Sequence, residues 1–207
     1  MAGPKLVKKL KSKMQNVAFQ KLMIFVSLIL GILVWLFWGL PLPTNLGSKN
    51  IPVSTKLFDR NGKLIYEIYT DKRRTPIKLT DLPPYVKEAT ISIEDKDFYK
   101  HYGYSITGMA RAAYNIIFKG KLQGGSTLTQ QLVKNALLTP ERTVKRKIRE
   151  FVLTFVVEAF YKKDQILEMY LNQIPYGSTA YGIEAASELY LGKEAKDLTL
   201  AEATFLA

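Results

Sequence analysis

Hydrophobic residues run without a single charge from Leu22 to Leu40, and this stretch is the strongest pattern in the chain. A bilayer core of about 30 Å needs roughly 20 apolar residues in a helix, whereas the core helix of a soluble domain keeps a polar face. Trp35, Trp38 and Pro41 stand where a cleaved signal peptide would have small residues. The pattern therefore predicts an uncleaved transmembrane helix over 22–40.

After residue 40 the pattern changes to short segments separated by turn residues. Prolines and polar residues at 41–53 predict a linker. Two strand-like segments, STKLF and KLIYEIY, flank the Asn61-Gly62 pair, which favours a tight hairpin turn. From Pro84 onward the apolar spacing becomes helical, and helices are predicted at 84–95, 105–118, 126–135, 140–161, 164–172 and 182–191.

Two sequence signals mark the end of one helix and the start of the next. Gly192 stands where a left-handed residue ends a helix, and Thr199 with Glu202 forms the pattern of a capping box. Residues 54–207 are therefore expected to form one mainly α domain with a small β-hairpin. The last helix has only begun at Ala207, which predicts a domain truncated at its C-terminus.

The net charge of +12 at first suggests a nucleic-acid partner. Most of the excess comes from lysines in the first 58 residues, where no acid balances them. By the positive-inside rule the six lysines before the apolar span predict a cytoplasmic tail at 1–21 and an extracytoplasmic domain, so nucleic acid is not expected as a partner. The remaining basicity suits an anionic membrane surface or a phosphate-bearing substrate. The lack of cysteine excludes disulfides and thiol chemistry.

Three polar clusters are candidates for chemistry. EDKDFYKHYG at 94–103 crowds carboxylates and the one histidine at a helix end, which suits proton transfer by Glu94 or describes a solvated acidic turn. GGSTLTQQLVKN at 124–135 could bind an anion at a helix start or contain an ordinary N-cap at Ser126. In KRKIRE at 145–150, Arg146 and Lys147 can reach Glu150, as surface ion pairs also do.

Taken together and in this order, the motifs resemble those of the bacterial peptidoglycan glycosyltransferases, the glycosyltransferase domain of class A penicillin-binding proteins and its single-domain relatives. The resemblance rests on EDKDFYKHYG (94–103), GGSTLTQQLVKN (124–135), RKIRE (146–150), KDQILEMYLNQIPYG (163–177) and GIEAASELYLGK (182–193). It covers about residues 54–207. It implies a lysozyme-like, mainly helical fold with a cleft and a smaller membrane-facing lobe.

The resemblance also implies an activity, which is the polymerisation of lipid II into β-1,4-linked glycan by inverting transfer, with release of undecaprenyl diphosphate. The implied partners are lipid II, the growing glycan strand and the membrane, with cell-wall synthesis or division proteins as further candidates. Glu94 corresponds to the catalytic base, and Glu150 and Asp95 are implied to support it. The implied substrate-binding residues are Arg111, Ser126, Gln131, Lys134, Arg146 and Lys147.

Apolar residues mixed with lysines at 114–122 favour a segment that dips into the membrane, with Ile116, Ile117 and Phe118 as contacts, although core packing is an alternative. No cofactor is expected to be required. A divalent cation, Mg or Mn, could bridge carboxylates and diphosphate, but the sequence contains no dedicated metal motif. The alternative functions are a lysozyme-like lytic enzyme that cleaves glycan and a non-catalytic membrane-anchored scaffold.

Overall fold

The computed structural model describes residues 4–47, 53–62, 64–69, 72–119 and 125–207. The chain divides into two compact units, Met1–Leu40 and Pro41–Ala207. The first unit contains helix α1 (Pro4–Phe37). Within it, Phe19–Phe37 has a mean hydropathy of 2.2 and is long and apolar enough to cross a membrane. Trp38 lies beyond the end of this helix.

The second unit begins with the predicted hairpin. Strand β1 (Thr55–Phe58) pairs antiparallel with β2 (Leu64–Ile68), and the register shifts between Leu57 and Phe58. The turn closes where the Gly62 amide donates to the Asp59 carbonyl, and Gly62 has the positive φ of 80° that glycine adopts without strain. The hairpin prediction is confirmed.

Seven helices follow among the described residues, and they confirm a mainly α fold. They are α2 (Pro84–Glu94), α3 (Ile106–Lys119), α4 (Leu128–Leu137), α5 (Val144–Phe160), α6 (Lys163–Gln173), α7 (Ile183–Leu191) and α8 (Leu200–Leu206). Short 3-10 turns occur at Pro43–Gly47, Leu79–Asp81 and Ala195–Asp197.

The helix ends follow their caps. Gly192 ends α7 in the left-handed conformation, and the Thr199 and Glu202 capping box begins α8, both as predicted. Two predicted starts are wrong. Helix α4 is capped by Thr127, whose hydroxyl accepts from the Gln130 amide, rather than by Ser126. Helix α5 begins after Thr143 rather than at Pro140, because the Thr143 hydroxyl accepts from the Arg146 amide.

The core of the second unit surrounds α4, which packs against α5 and α6. Its fully buried side chains are Leu128, Leu132, Val133, Leu153, Val157, Ile166, Leu167 and Leu171. Each buried leucine stabilises the fold by roughly 2 kcal/mol relative to exposure. Helix α4 is therefore a rigid support for the polar side chains that it carries.

Part of the predicted linker packs on this core. Leu46 is buried, and its carbonyl accepts from Gln173 Nε2 at 2.9 Å. The Tyr161 hydroxyl donates to the Pro43 carbonyl at 3.0 Å. Residues 43–47 are thus attached to the second unit, while residues 48–52 lie outside the described residues.

Candidate active site

Glu94 is the last residue of α2, and its side chain is half-buried against two other helices. Gln131 Nε2 on α4 donates to Glu94 Oε2 at 2.6 Å. The Tyr170 hydroxyl on α6 in turn donates to Gln131 Oε1 at 3.3 Å. Three helices therefore fix the position of one carboxylate through a short chain of polar groups.

Asp95, the next residue, points its carboxylate into the protein instead. It ends α2 with φ −155° and ψ 74°, and it is 7% exposed. Its carboxylate accepts from His101 Nε2 at 2.9 Å and from the Leu128 amide at 3.1 Å. Asp95 therefore links the end of α2 to the start of α4, and His101 has the structural hydrogen-bonding role that is usual for a single histidine.

The turn between Asp95 and Gly103 is held tightly against α5. Phe98 is fully buried beneath the Lys163 ammonium, which lies 4.5 Å from the ring centroid. The Thr127 hydroxyl donates to the Gly103 carbonyl at 2.7 Å. Gly103 has a φ of 79°, and a Cβ at this position would lie 2.5 Å from Thr154 Cγ2. This turn presents Glu94, and only glycine fits at its end.

A small cavity opens beside Glu94. Its volume is about 20 Å³, and its lining residues include Glu94, Asp95, Arg111 and Ser126. The structure thus brings together four of the residues singled out from the sequence. A cavity of this size holds about one water molecule, so a sugar would need more room than this conformation offers. Gly124, the first glycine of the second motif, lies outside the described residues.

A second, much larger cavity of about 950 Å³ contains the other predicted cations, Lys134, Arg146 and Lys147. Lys72 and Arg142 also line it, and none of its lining residues is acidic. Glu94 is not among the residues that line this cavity. The sequence analysis missed Lys72, which the basic run at 72–74 could have indicated, and Arg142, for which no pattern stood out.

Glu150 forms ion pairs with two of these cations. It lies on the buried face of α5, is 2% exposed, and pairs with Lys147 and with Arg146 Nη1, the latter at 2.6 Å. Ordinary surface ion pairs have two solvated partners, so this alternative is wrong for Glu150. The buried carboxylate instead fixes two cationic side chains that line the large cavity.

Helix α4 is the element that connects the two cavities. Gln131 and Lys134 are one turn apart on it, so their side chains project from the same side of the helix. Gln131 donates to Glu94, while Lys134 lines the large cavity. One long ligand could therefore contact both residues.

Tyr170 and Tyr176 complete the surroundings of Glu94. Burial, together with the nearby Glu94 charge, raises the pKa of both phenols well above the usual range. Both hydroxyls therefore stay protonated at neutral pH and are available as donors. Tyr170 lies in the motif KDQILEMYLNQIPYG, but no role was predicted for it from the sequence.

Glu168 and Asn172, in the motif KDQILEMYLNQIPYG, form hydrogen bonds inside the scaffold. Glu168 accepts from the Leu79 amide at 2.8 Å. Asn172 accepts from the Ile77 amide at 2.9 Å and donates to the Ile77 carbonyl at 2.8 Å. Both side chains hold the segment before α2 against α6.

Among the predicted membrane contacts, Phe118 is 71% exposed near the end of α3. The side chains of Ile116 and Ile117 lie outside the described part of the structure. In the described residues, no group of three or more histidine, aspartate or glutamate side chains is arranged to hold a metal ion.

Comparison with known proteins identifies the family. Residues 61–207 match the family described as Transglycosylase. Penicillin-binding protein 1F of Bacillus subtilis (strain 168) is 46% identical over 155 residues, which are 74% of this chain and 22% of that protein. Penicillin-binding protein 1A of Pseudomonas aeruginosa is 42% identical over 190 residues, which are 88% of this chain and 23% of that protein.

A third relative, penicillin-binding protein 1A of Aquifex aeolicus, is 40% identical over 188 residues, which are 89% of this chain and 26% of that protein. The chain thus spans about a quarter of the length of these relatives. The chain belongs to the transglycosylase family, and its second unit is a glycosyltransferase domain of the kind found in class A penicillin-binding proteins.

Proposed function

We propose that this protein polymerises lipid II into β-1,4-linked glycan strands and releases undecaprenyl diphosphate. One observation carries the proposal: α4 bears both Gln131, which holds the Glu94 carboxylate, and Lys134, which lines a cavity with four further cations and no acidic residue. A carboxylate can accept a proton from a sugar hydroxyl, and clustered cations bind a diphosphate.

Glu94 is the general base of the proposed reaction. The C4 hydroxyl of the acceptor loses its proton to Glu94 while its oxygen attacks the anomeric carbon of the donor. Attack from the side opposite the leaving group converts an α-linked diphosphate into a β-linked glycan. Gln131 binds Oε2 of Glu94, whereas the other carboxylate oxygen accepts no hydrogen bond from the described residues and is the proposed proton acceptor.

The chemistry of the leaving group explains why cations line the large cavity. A lipid diphosphate departs as a stable anion, so it needs charge neutralisation rather than a proton from a general acid. The diphosphate carries about two negative charges, which Lys134 and the Arg146, Lys147 and Glu150 cluster can balance. Lys72 and Arg142 add positive potential at the same cavity.

The remaining predicted residues are proposed either to contact the substrate or to position Glu94. Arg111 and Ser126 share the small cavity with Glu94 and are proposed to contact the sugars or phosphates next to the reacting centre. Asp95 is proposed to position Glu94 rather than to exchange protons, because its carboxylate already accepts from His101 and Leu128.

The direct test is a product assay. The full-length protein, reconstituted with lipid-linked disaccharide, is expected to yield glycan polymer that lysozyme digests. Preformed glycan, incubated in parallel, should remain intact. Shortening of preformed glycan without any polymer from the lipid-linked substrate would identify a lytic enzyme, and no reaction with either substrate would favour a scaffold.

For localisation, we propose that α1 anchors the protein in the cytoplasmic membrane. Phe19–Phe37 can span the bilayer, and the lysine-rich residues before it favour a cytoplasmic N-terminus. The catalytic domain then lies outside the cytoplasm. The lipid tail of the substrate stays in the bilayer, so the domain must reach the substrate at the membrane surface.

Two exposed apolar surfaces are proposed to contact that membrane. On α3, Tyr114 and Phe118 are exposed and their ring centroids lie 4.9 Å apart. On α5, the spacing of exposed apolar residues forms one stripe along the helix, made of Val144, Ile148, Phe151 and Phe155. Both glutamates of α5 have buried carboxylates, so the exposed stripe carries no acid to repel an anionic lipid surface.

A fluorescent label can test this contact, because the chain has no native cysteine. Phe155→Cys, labelled with an environment-sensitive dye in proteoliposomes, is expected to be quenched by nitroxides placed on the lipid chains. Apolar contact with the bilayer brings the dye within reach of the quencher. The measurement is the fluorescence lost as spin-labelled lipid is increased.

Phe205→Cys on α8 is the matched control, since Phe205 is also a highly exposed phenylalanine on a helix. Its label should stay unquenched. Equal quenching at positions 155 and 205 would show that the α5 stripe has no special contact with the membrane.

A further inference from the structure

Tyr170 is a buried tyrosine whose hydroxyl points toward the candidate active site. It lies on α6 and is 4% exposed. Its hydroxyl donates to Gln131 Oε1 at 3.3 Å, and Gln131 Nε2 donates to Glu94 Oε2 at 2.6 Å. A residue that solvent and substrate hardly reach is therefore connected to Glu94 through one amide.

The orientation of that amide decides whether a hydrogen-bond donor or an acceptor faces Glu94. A carboxamide has an oxygen that accepts and a nitrogen that donates, and a rotation of 180° about its last bond exchanges them. If the oxygen of Gln131 faced Glu94, two acceptors would meet and repel each other. The amide must therefore be held with its nitrogen toward Glu94.

Tyr170 supplies the group that holds it. The hydroxyl donates to the amide oxygen and so keeps the nitrogen on the opposite side, toward Glu94. Burial raises the pKa of Tyr170 above the usual range of a phenol, so this donor stays protonated. Within the described residues, the Gln131 side chain forms these two hydrogen bonds and no third.

We propose that Tyr170 is a positioning residue for the transfer reaction and that it acts on Glu94 by fixing the amide of Gln131. This inference rests on the proposed function of Glu94 as the base. The hydroxyl keeps one Glu94 oxygen bound to Gln131, so the other oxygen stays directed at the acceptor hydroxyl. Loss of this constraint would let the carboxylate leave its productive orientation, which slows chemistry without weakening substrate binding.

Tyr170→Phe in the full-length protein is the test, since it removes one oxygen and keeps the ring that packs in the core. The kcat for polymerisation is expected to fall about tenfold, which is the loss typical of one hydrogen bond. KM should stay within about twofold of the wild-type value, because no substrate contact is lost. A change in KM alone, or an unchanged kcat, would overturn the proposal.

A double-mutant cycle separates positioning from a general loss of packing. In a Gln131→Ala background the amide is gone, so Tyr170→Phe should have almost no further effect on kcat. An equal tenfold loss in both backgrounds would show that Tyr170 does not act through Gln131.

Tyr161→Phe is a matched control, because the Tyr161 hydroxyl donates to the Pro43 carbonyl and not to any residue near Glu94. It should leave kcat unchanged. The two proposals fail differently: absence of polymer from the wild-type protein contradicts the proposed function, whereas an active wild type and a fully active Tyr170→Phe variant contradict only the role of Tyr170.

Discussion

Replacement of Glu94 by Gln is expected to lower the rate of glycan polymerisation by about 10²- to 10⁴-fold, the range that general-base catalysis contributes. Gln keeps the size of Glu94 and can still accept from Gln131 Nε2 through its own amide oxygen. It cannot accept a proton from the acceptor sugar. The measurement is single-turnover polymer formation from lipid-linked disaccharide.

The fold should tolerate this change. Glu94 is half-buried at a helix end, and its hydrogen bond with Gln131 survives as a neutral one, so the melting temperature is expected to stay close to that of the wild type. Glu88→Gln, at an exposed position of the same helix, is the control and should retain full activity. Polymerisation at the wild-type rate by the Glu94 variant would mean that another group is the base.

Replacement of Gly103 by Ala is expected to destabilise the domain by about 3 kcal/mol, from overpacking and from a left-handed backbone. The new Cβ would lie 2.5 Å from Thr154 Cγ2 and 3.1 Å from Glu158 Cγ, in a backbone at φ 79°. For a domain of this size the melting temperature should fall by about 10 °C. Thermal unfolding of the protein in detergent, followed by circular dichroism, measures the change.

Gly62→Ala provides the comparison that isolates the contact. Gly62 has nearly the same φ of 80°, but a Cβ there would meet nothing within 4 Å. Replacement of Gly62 should lower the free energy of unfolding by only about 1 kcal/mol, which is the contribution of the left-handed backbone conformation. If both variants unfold at the same temperature, the packing of Gly103 against α5 contributes nothing beyond its backbone conformation.

The secondary structure could be predicted well because its signals are local. The Asn61-Gly62 turn, the helical spacing after Pro84, Gly192 and the Thr199 capping box all depend on neighbours within a few residues. The errors were also local, since Ser126 and Thr127 at α4, and Thr139 and Thr143 at α5, are alternative hydroxyl caps within a few residues of each other. Thr127 and Thr143 won at α4 and α5 because their hydroxyls reach the amide three residues later.

The candidate site could be predicted only as a set of residues. The motifs named Glu94, Lys134 and Glu150, but nothing local indicates that Glu150 is buried beneath Arg146 and Lys147. Burial depends on which face of α5 meets α4, and that is decided by long-range packing. Lys72 reaches the large cavity from a segment far away in sequence for the same reason.

The sequence by itself determined the apolar segment for the membrane, the helices with their ends, and the motifs that mark the family, because each is written within a short stretch of chain. The tertiary structure alone decided that Asp95 turns inward to His101, that Gln131 faces Glu94 while Lys134 faces the other cavity, and that Tyr170 lies behind Gln131. These relations join α2, α4 and α6. The distances between their side chains exist only once the core around α4 has packed.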